Sequence, residues 1–131
     1  MTSVGIFGAN GRMGRNLIQA TVEDAQAELK AAAVRTGSPF ENMDAGLIAG
    51  IQEQGISASS DLAQLAGNTE VWIDFTLPEA LSNNIDYCVK HGLNMVVGVT
   101  GLSPELEQKL KDASEHIAIV FAANFSTGVN L

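Results

Sequence analysis

Cysteine, cations and long apolar runs are all scarce in this sequence. The single cysteine, Cys88, excludes an internal disulfide framework and leaves no thiolate cluster for a structural zinc, so no metal site is expected. Seven basic residues face fifteen acidic ones, a formal net charge of −8. Such a surface repels phosphate backbones and argues against general nucleic-acid binding. No apolar run approaches the ~20 residues of a membrane span. The opening Met1-Thr2-Ser3-Val4 carries no basic stretch or cleavage pattern, so no secretory signal is read there. Together these absences point to a cytoplasmic protein that partners neither nucleic acid nor membrane.

What is present fits one ordinary domain. A chain of 131 residues buries roughly two-thirds of its unfolded surface, enough for a real core. Apolar types make up 46% and charged types 17%, which excludes a disordered acidic tail. Arg12, Arg15 and Arg35 all lie in the first 35 residues, whereas Lys30, Lys90, Lys109 and Lys111 are scattered. That clustering reads either as local use on an anion or as chance.

Short apolar runs alternate with helical spacing along the chain. Residues 3–7, 29–34, 71–75, 94–98 and 117–122 read as strands, and 56–58 as a short one. A helix is expected over 12–22, with Met13, Leu17, Ile18 and Thr21 or Val22 inward. Another is expected over 62–66, capped by Asp61 and ended by Gly67-Asn68. Pro78 opens a third, with Leu81, Ile85, Cys88 and Val89 inward and Gly92 as its stop. Ser103-Pro104 opens a fourth, with Leu102, Leu106, Leu110 and Ala113 inward. On it Glu105–Lys109 and Glu107–Lys111 are i,i+4 pairs in the favourable order. Residues 40–55 show little periodicity. Apolar strands alternating with helices indicate an α/β fold, a Rossmann-like doubly wound parallel sheet with helices on both faces.

Between the first strand and the first helix stands Gly8-Ala9-Asn10-Gly11-Arg12-Met13-Gly14. Gly8 permits a tight exit from the strand, and Asn10 is the next best residue for a positive φ. Gly11 and the small residues let main chain approach a ligand, and Gly14 lets helix pack close on strand. The helix N-terminus then offers free N–H groups and a partial positive charge to a pyrophosphate. A glycine pattern alone is weak evidence. Its place between strand and helix is the context a dinucleotide fold requires, and a ligand-free glycine turn is the plain alternative. At the end of the second strand, NAD-preferring folds carry an acid for the ribose 2′-OH. Here stand Val34 and Arg35. Valine cannot accept that bond, whereas Arg35 can pair with a 2′-phosphate, with Arg12 closing from the glycine turn and Thr36 and Ser38 nearby as hydroxyl donors. This favours NADPH, with NADH possible; a solvated arginine at a strand end is the alternative.

The turn Gly8-x-x-Gly11-Arg12-Met13-Gly14 resembles the opening of dihydrodipicolinate reductases. Three more segments resemble that family in the right order: Asp74-Phe75-Thr76-x-Pro78-Glu79, Gly98-Val99-Thr100-Gly101, and Ala122-Ala123-Asn124-Phe125-Ser126-x-Gly128-Val129-Asn130. The resemblance implies that Gly8, Ala9, Asn10, Gly11, Arg12 and Met13 hold pyrophosphate and adenosine. It implies that Arg35, beside Val34, meets the 2′-phosphate and that Phe75 and Thr76 border the ribose. Gly98, Val99 and Thr100 would line the nicotinamide pocket, with Ala122, Ala123, Asn124 and Phe125 opposite. Two departures stand out. Members that use NADH well carry an acid where this chain has Val34, and Val99 stands where threonine is common.

The family's reaction passes a hydride from NAD(P)H to a cyclic imine dicarboxylate in the diaminopimelate–lysine pathway, typically in homotetramers. Its general acid and substrate carboxylate contacts come from a later domain carrying a His-His…Lys motif and a Ser-Gly-Thr segment. Neither occurs here, so residues 1–131 are expected to be the NAD(P)H-binding domain, with about 126–131 starting the crossover to a substrate domain. The chain is expected to bind coenzyme without turnover and to hold no catalytic residue of its own.

Other residues have plainer readings. His91 and His116 sit at helix ends, Asp74 is an acceptor for loop N–H groups, and Cys88 and Trp72 pack. Tyr87 and Lys90 lack the i,i+4 spacing of a short-chain dehydrogenase pair, because His91 occupies that place. Two other functions fit the glycine turn: a dinucleotide sensor without catalysis, and the coenzyme domain of another small-substrate dehydrogenase. The 122–130 segment argues against the sensor.

Overall fold

Glycine-bounded apolar runs become strands where both faces are covered. A computed structural model describes residues 1–121, in which β1 (Thr2–Phe7), β2 (Ala27–Ala33), β3 (Val71–Asp74), β4 (Asn94–Val97) and β5 (Ile119–Phe121) form one sheet. All neighbours are parallel, in the order β2-β1-β3-β4-β5. The expected doubly wound parallel sheet is therefore the fold. The segments expected at 122–125 and 126–131 lie outside the described residues.

Side chains alternate across the strands and divide the core in two. Val4, Ile6 and Ala32 face one layer, with Ile18 of helix α1 (Arg12–Glu23). Phe7, Ala31, Trp72, Met95 and Val97 face the other. There they meet Leu81, Ile85 and Cys88 of helix α4 (Pro78–His91) and Leu106, Leu110 and Ala113 of helix α5 (Pro104–Ala113). Between α1 and α4 lie the short helices α2 (Ala45–Ile48) and α3 (Leu62–Leu65), the latter continuing as a 3₁₀ turn over Ala66–Asn68. Gly5 makes room for the one tryptophan, since a Cβ there would lie 2.5 Å from the Trp72 ring. Trp72 Nε1–H donates to Thr69 Oγ1 at 2.9 Å, which satisfies its buried polar edge.

The punctuation of the two longer helices of the second half is as expected. Pro78 opens α4 (Pro78–His91), and Gly92, at φ +67, ends it. Ser103 Oγ accepts the Leu106 N–H at the start of α5 (Pro104–Ala113). Asp61 precedes α3, but its side chain does not cap it.

Other expectations need correction. Met13 is not inward but 42% exposed, because Gly14, Ile18 and Thr21 form the contact face of α1. Asn10 does not take a positive φ; Gly8 alone does so in that turn. Lys109 reaches across to α4, 2.9 Å from Asp86 and 2.7 Å from Ser82 Oγ, rather than pairing along its own helix with Glu105. Residues 56–58 form no ladder. Ser57 bridges Asp44, and Ser59 makes one parallel bridge to Ala33 on the outer side of β2. That bridge occupies the position of a further edge strand, which extends the order toward the dinucleotide-fold arrangement.

One carboxylate, with main-chain bonds such as Ala45 N–H to Ile56 O at 2.7 Å, gathers residues 40–58. Asp44 accepts N–H groups from Gly46, Gln54, Gly55 and Ile56 at 2.7–3.0 Å. Partial burial works against its ionisation, but the four N–H groups outweigh that and hold its pKa below the ordinary range.

Candidate functional site

The chain leaves β1 toward β2 on one side and β3 toward β4 on the other. Loops that part in this way open a crevice at the C-terminal ends of the strands. A cleft of about 560 Å³ lies there. One wall is the turn from Gly8 to Gly14, and the other is Phe75, Thr76 and Leu77 with Ala80, Asn83 and Asn84 of α4. Val34, Arg35 and Thr36, with Ser60 and Leu62, close the β2 end.

The glycine wall is held tightly. Gly8 sits at φ +65, and a Cβ there would come 2.7 Å from Thr76 Cγ2. The Gly11 N–H donates to Gly8 O at 3.0 Å. A Cβ on Gly14 would lie 2.1 Å from Gly8 O, so only glycine lets α1 start this close to β1. Gly11 caps α1 without a side chain, and the first turn carries no acid. The opening N–H groups of α1 thus have neither a side-chain cap nor a competing carboxylate, the arrangement that suits an anion.

The opposite wall is braced by Asp74, which is wholly buried at the end of β3. Its carboxylate accepts the Thr76 N–H at 2.9 Å, the Thr76 hydroxyl, and Asn84 Nδ2–H at 2.7 Å. This is the loop-acceptor role expected for it. The three arginines divide by role. Arg15 Nε–H donates to Asn10 O at 3.2 Å, and its guanidinium lies over the Phe40 ring. Arg12 and Arg35 line the cleft, and among the described residues neither guanidinium has an ion-pair or hydrogen-bond partner.

The structure gathers Gly8, Asn10, Gly11, Arg12, Met13, Val34, Arg35, Phe75 and Thr76 around the cleft. Ala9 lies beneath it, buried, with its N–H on Ala33 O at 3.0 Å. Gly98, Val99 and Thr100 do not line it. The Phe75 ring covers Gly98 so closely that a Cβ there would lie 2.1 Å from it. Val99 is buried in the α4–α5 core, and Thr100 is exposed. Ala122, Ala123, Asn124 and Phe125 lie outside the described residues.

Ser60, Leu62, Leu77, Ala80, Asn83 and Asn84 line the cleft without having been singled out from sequence. Asn84 carried a usable signal, since it sits two turns into the helix that follows Asp74. Ser60 carried none. His91 and His116 are exposed and remote from the cleft. Burial, then the charge of Asp74, push the Cys88 thiol up to about 12, so it is no nucleophile. Among the described residues no cluster of His, Cys, Asp or Glu suits a metal, and no helix is long and apolar enough to cross a membrane.

Fold and cleft together define a nucleotide-binding domain of the Rossmann class. A family model described as dihydrodipicolinate reductase, N-terminus, matches residues 2–125, and the chain belongs to that family. A 4-hydroxy-tetrahydrodipicolinate reductase of Psychrobacter arcticus is 46% identical over 131 residues, covering 100% of this chain and 47% of its own length. One from Pseudoalteromonas atlantica is 47% identical over 135 residues, 100% of this chain and 49% of its own. The chain thus spans about half the length of these curated relatives. A solved dihydrodipicolinate reductase from Paenisporosarcina sp. TG-14, with dipicolinate bound, shares the fold at a TM-score of 0.71 and 21% identity, over 98% of this chain and 49% of that one.

Proposed function

We propose that this chain is the NADPH-binding half of a 4-hydroxy-tetrahydrodipicolinate reductase of lysine and diaminopimelate biosynthesis. One observation carries the coenzyme reading. Two unpartnered arginines and an acid-free helix N-terminus face one cleft in a protein of net charge −8. The Gly8–Gly14 turn fits a pyrophosphate because Gly11 presents bare main chain and Gly14 seats the helix against it. Arg35 meets the 2′-phosphate, while Val34 offers no acceptor to a 2′-OH. When bound, the coenzyme supplies the hydride. The chain's own residues bind and orient it.

The substrate class, a cyclic imine dicarboxylate, is supported by the names of the relatives and by the dipicolinate in the related structure. Turnover needs residues beyond this chain, and the full-length protein is a homotetramer in this reading. The Gly98–Thr100 turn joins the nicotinamide pocket if Phe75 swings off Gly98, with 122–125 on the other side.

Titration of the chain with NADPH and NADH, by calorimetry or coenzyme fluorescence, tests this. NADPH should bind more tightly. Arg35→Ala should weaken NADPH by roughly 10- to 100-fold, the worth of a charge-assisted phosphate contact, and leave NADH nearly unchanged. Equal losses for both coenzymes would refute the reading of Arg35. Reductase turnover by the chain alone, at the rate of a complete enzyme, would refute the division of labour.

A further inference from the structure

We propose that Glu41 is a positioning residue for coenzyme choice, which fixes the turn carrying Arg35 by tying it to Ser60. The proposal rests on the reading that Arg35 meets the 2′-phosphate. Glu41 uses both carboxylate oxygens. Oε1 accepts the Gly37 N–H at 2.9 Å, and Oε2 accepts the Ser60 hydroxyl at 2.8 Å. The Glu41 N–H donates to Ser38 O at 3.2 Å, and the Ser38 N–H donates to Arg35 O at 3.0 Å. Both tied segments border the cleft, through Arg35 and Thr36 on one side and Ser60 on the other. The Ser60 hydroxyl, then the Gly37 N–H, hold the Glu41 carboxyl below its ordinary range, so it is the ionised form that makes the strap.

The consequence is a cation whose main chain is held while its side chain is free. Val34, just before it, donates its N–H to Ser59 O at 3.1 Å, and the strap fixes the turn just after it. A guanidinium carried on such a base meets a phosphate with less ordering left to do. NADH has no 2′-phosphate and makes no use of that placement. Glu41 itself is not offered to the ribose, since it does not line the cleft.

The test compares NADPH and NADH dissociation constants for the chain and for Glu41→Ala, Glu41→Gln, Arg35→Ala and the Arg35→Ala/Glu41→Ala double variant. A thermal midpoint is recorded for each. Glu41→Ala should raise the NADPH constant about fivefold to tenfold and the NADH constant by less than about twofold. Glu41→Gln keeps one carbonyl acceptor and should fall between, which keeps the test open if the alanine variant does not fold. With Arg35 already removed, Glu41→Ala should change neither constant further. Equal losses for both coenzymes, loss of NADH alone, or additive losses in the double variant would overturn the proposal. If Arg35→Ala discriminates between coenzymes and Glu41→Ala does not, this proposal alone falls. If Arg35→Ala does not discriminate, the coenzyme reading falls first.

Discussion

Replacing Gly14 by alanine should damage the fold, and replacing Gly11 should damage binding. A Cβ on Gly14 would lie 2.1 Å from Gly8 O and 2.9 Å from Ala9 Cα. These are main-chain atoms at the end of β1, so no rotamer change relieves the overlap. The start of α1 must back away by on the order of 1 Å. A main-chain overlap this deep falls at the upper end of the about 1–3 kcal/mol that overpacking costs, and the better helix propensity of alanine returns at most ~1 kcal/mol. The net loss is about 2 kcal/mol, or roughly 6–10 °C in Tm at this chain length.

Gly11 differs in kind. Its φ is −75°, and a Cβ there meets only Gly8 O, at an ordinary 3.4 Å. Losing glycine as the cap costs about 0.5–1 kcal/mol. Yet Gly11 lines the cleft, and an added methyl holds the coenzyme off the main chain. NADPH affinity should fall about tenfold or more. Urea unfolding followed by Trp72, the sole tryptophan and wholly buried, reports stability. Coenzyme titration reports binding. A Gly14→Ala protein as stable as Gly11→Ala, or a Gly11→Ala protein that binds normally, would refute this division between packing glycine and binding glycine.

Two further outcomes concern stability alone. Asp44→Asn should lower stability by about 1–2 kcal/mol above pH 5, since the amide cannot accept all four N–H groups. The folded-state pKa of Asp44 lies below its ordinary value of 3.8, so its contribution is complete above that value and lost as pH falls through the folded pKa. The gap between wild type and variant should therefore be flat from about pH 5 to 8 and close under acid, and a gap that widens in acid would contradict the assignment. Tyr87 presses edge-on against Phe7 and Trp72, and its buried hydroxyl has no partner among the described residues. Tyr87→Phe should leave stability unchanged or raise it by up to ~1 kcal/mol in denaturant unfolding; a loss larger than that would mean the hydroxyl is bonded.

The legible parts of the chain were those ordered by neighbours in sequence. Pro78, Gly92 and Ser103-Pro104 mark helix ends through local backbone chemistry, and each does so in the fold. The Gly8–Gly14 turn was readable because strand, turn and helix are contiguous. Residues 40–55 were opaque because much of their order comes from one carboxylate reaching N–H groups up to twelve positions away, which leaves no period in the sequence. Met13 was misread because a periodic pattern does not show that Gly14 takes the contact position against β1. The separation of Gly98–Thr100 from the cleft goes with the Phe75 ring lying over Gly98 and Val99 packing into the core, tertiary contacts that a local sequence pattern does not encode.

The most direct measurement is amide chemical-shift mapping of the isotope-labelled chain during titration with NADPH. Shifts centred on Gly8, Gly11 to Gly14, Arg35, Thr36 and Thr76 are the expected result. Shifts confined to the groove between α4 and α5 around Lys90 and His116, or none at saturating coenzyme, would contradict a coenzyme site between the β1 and β3 loops.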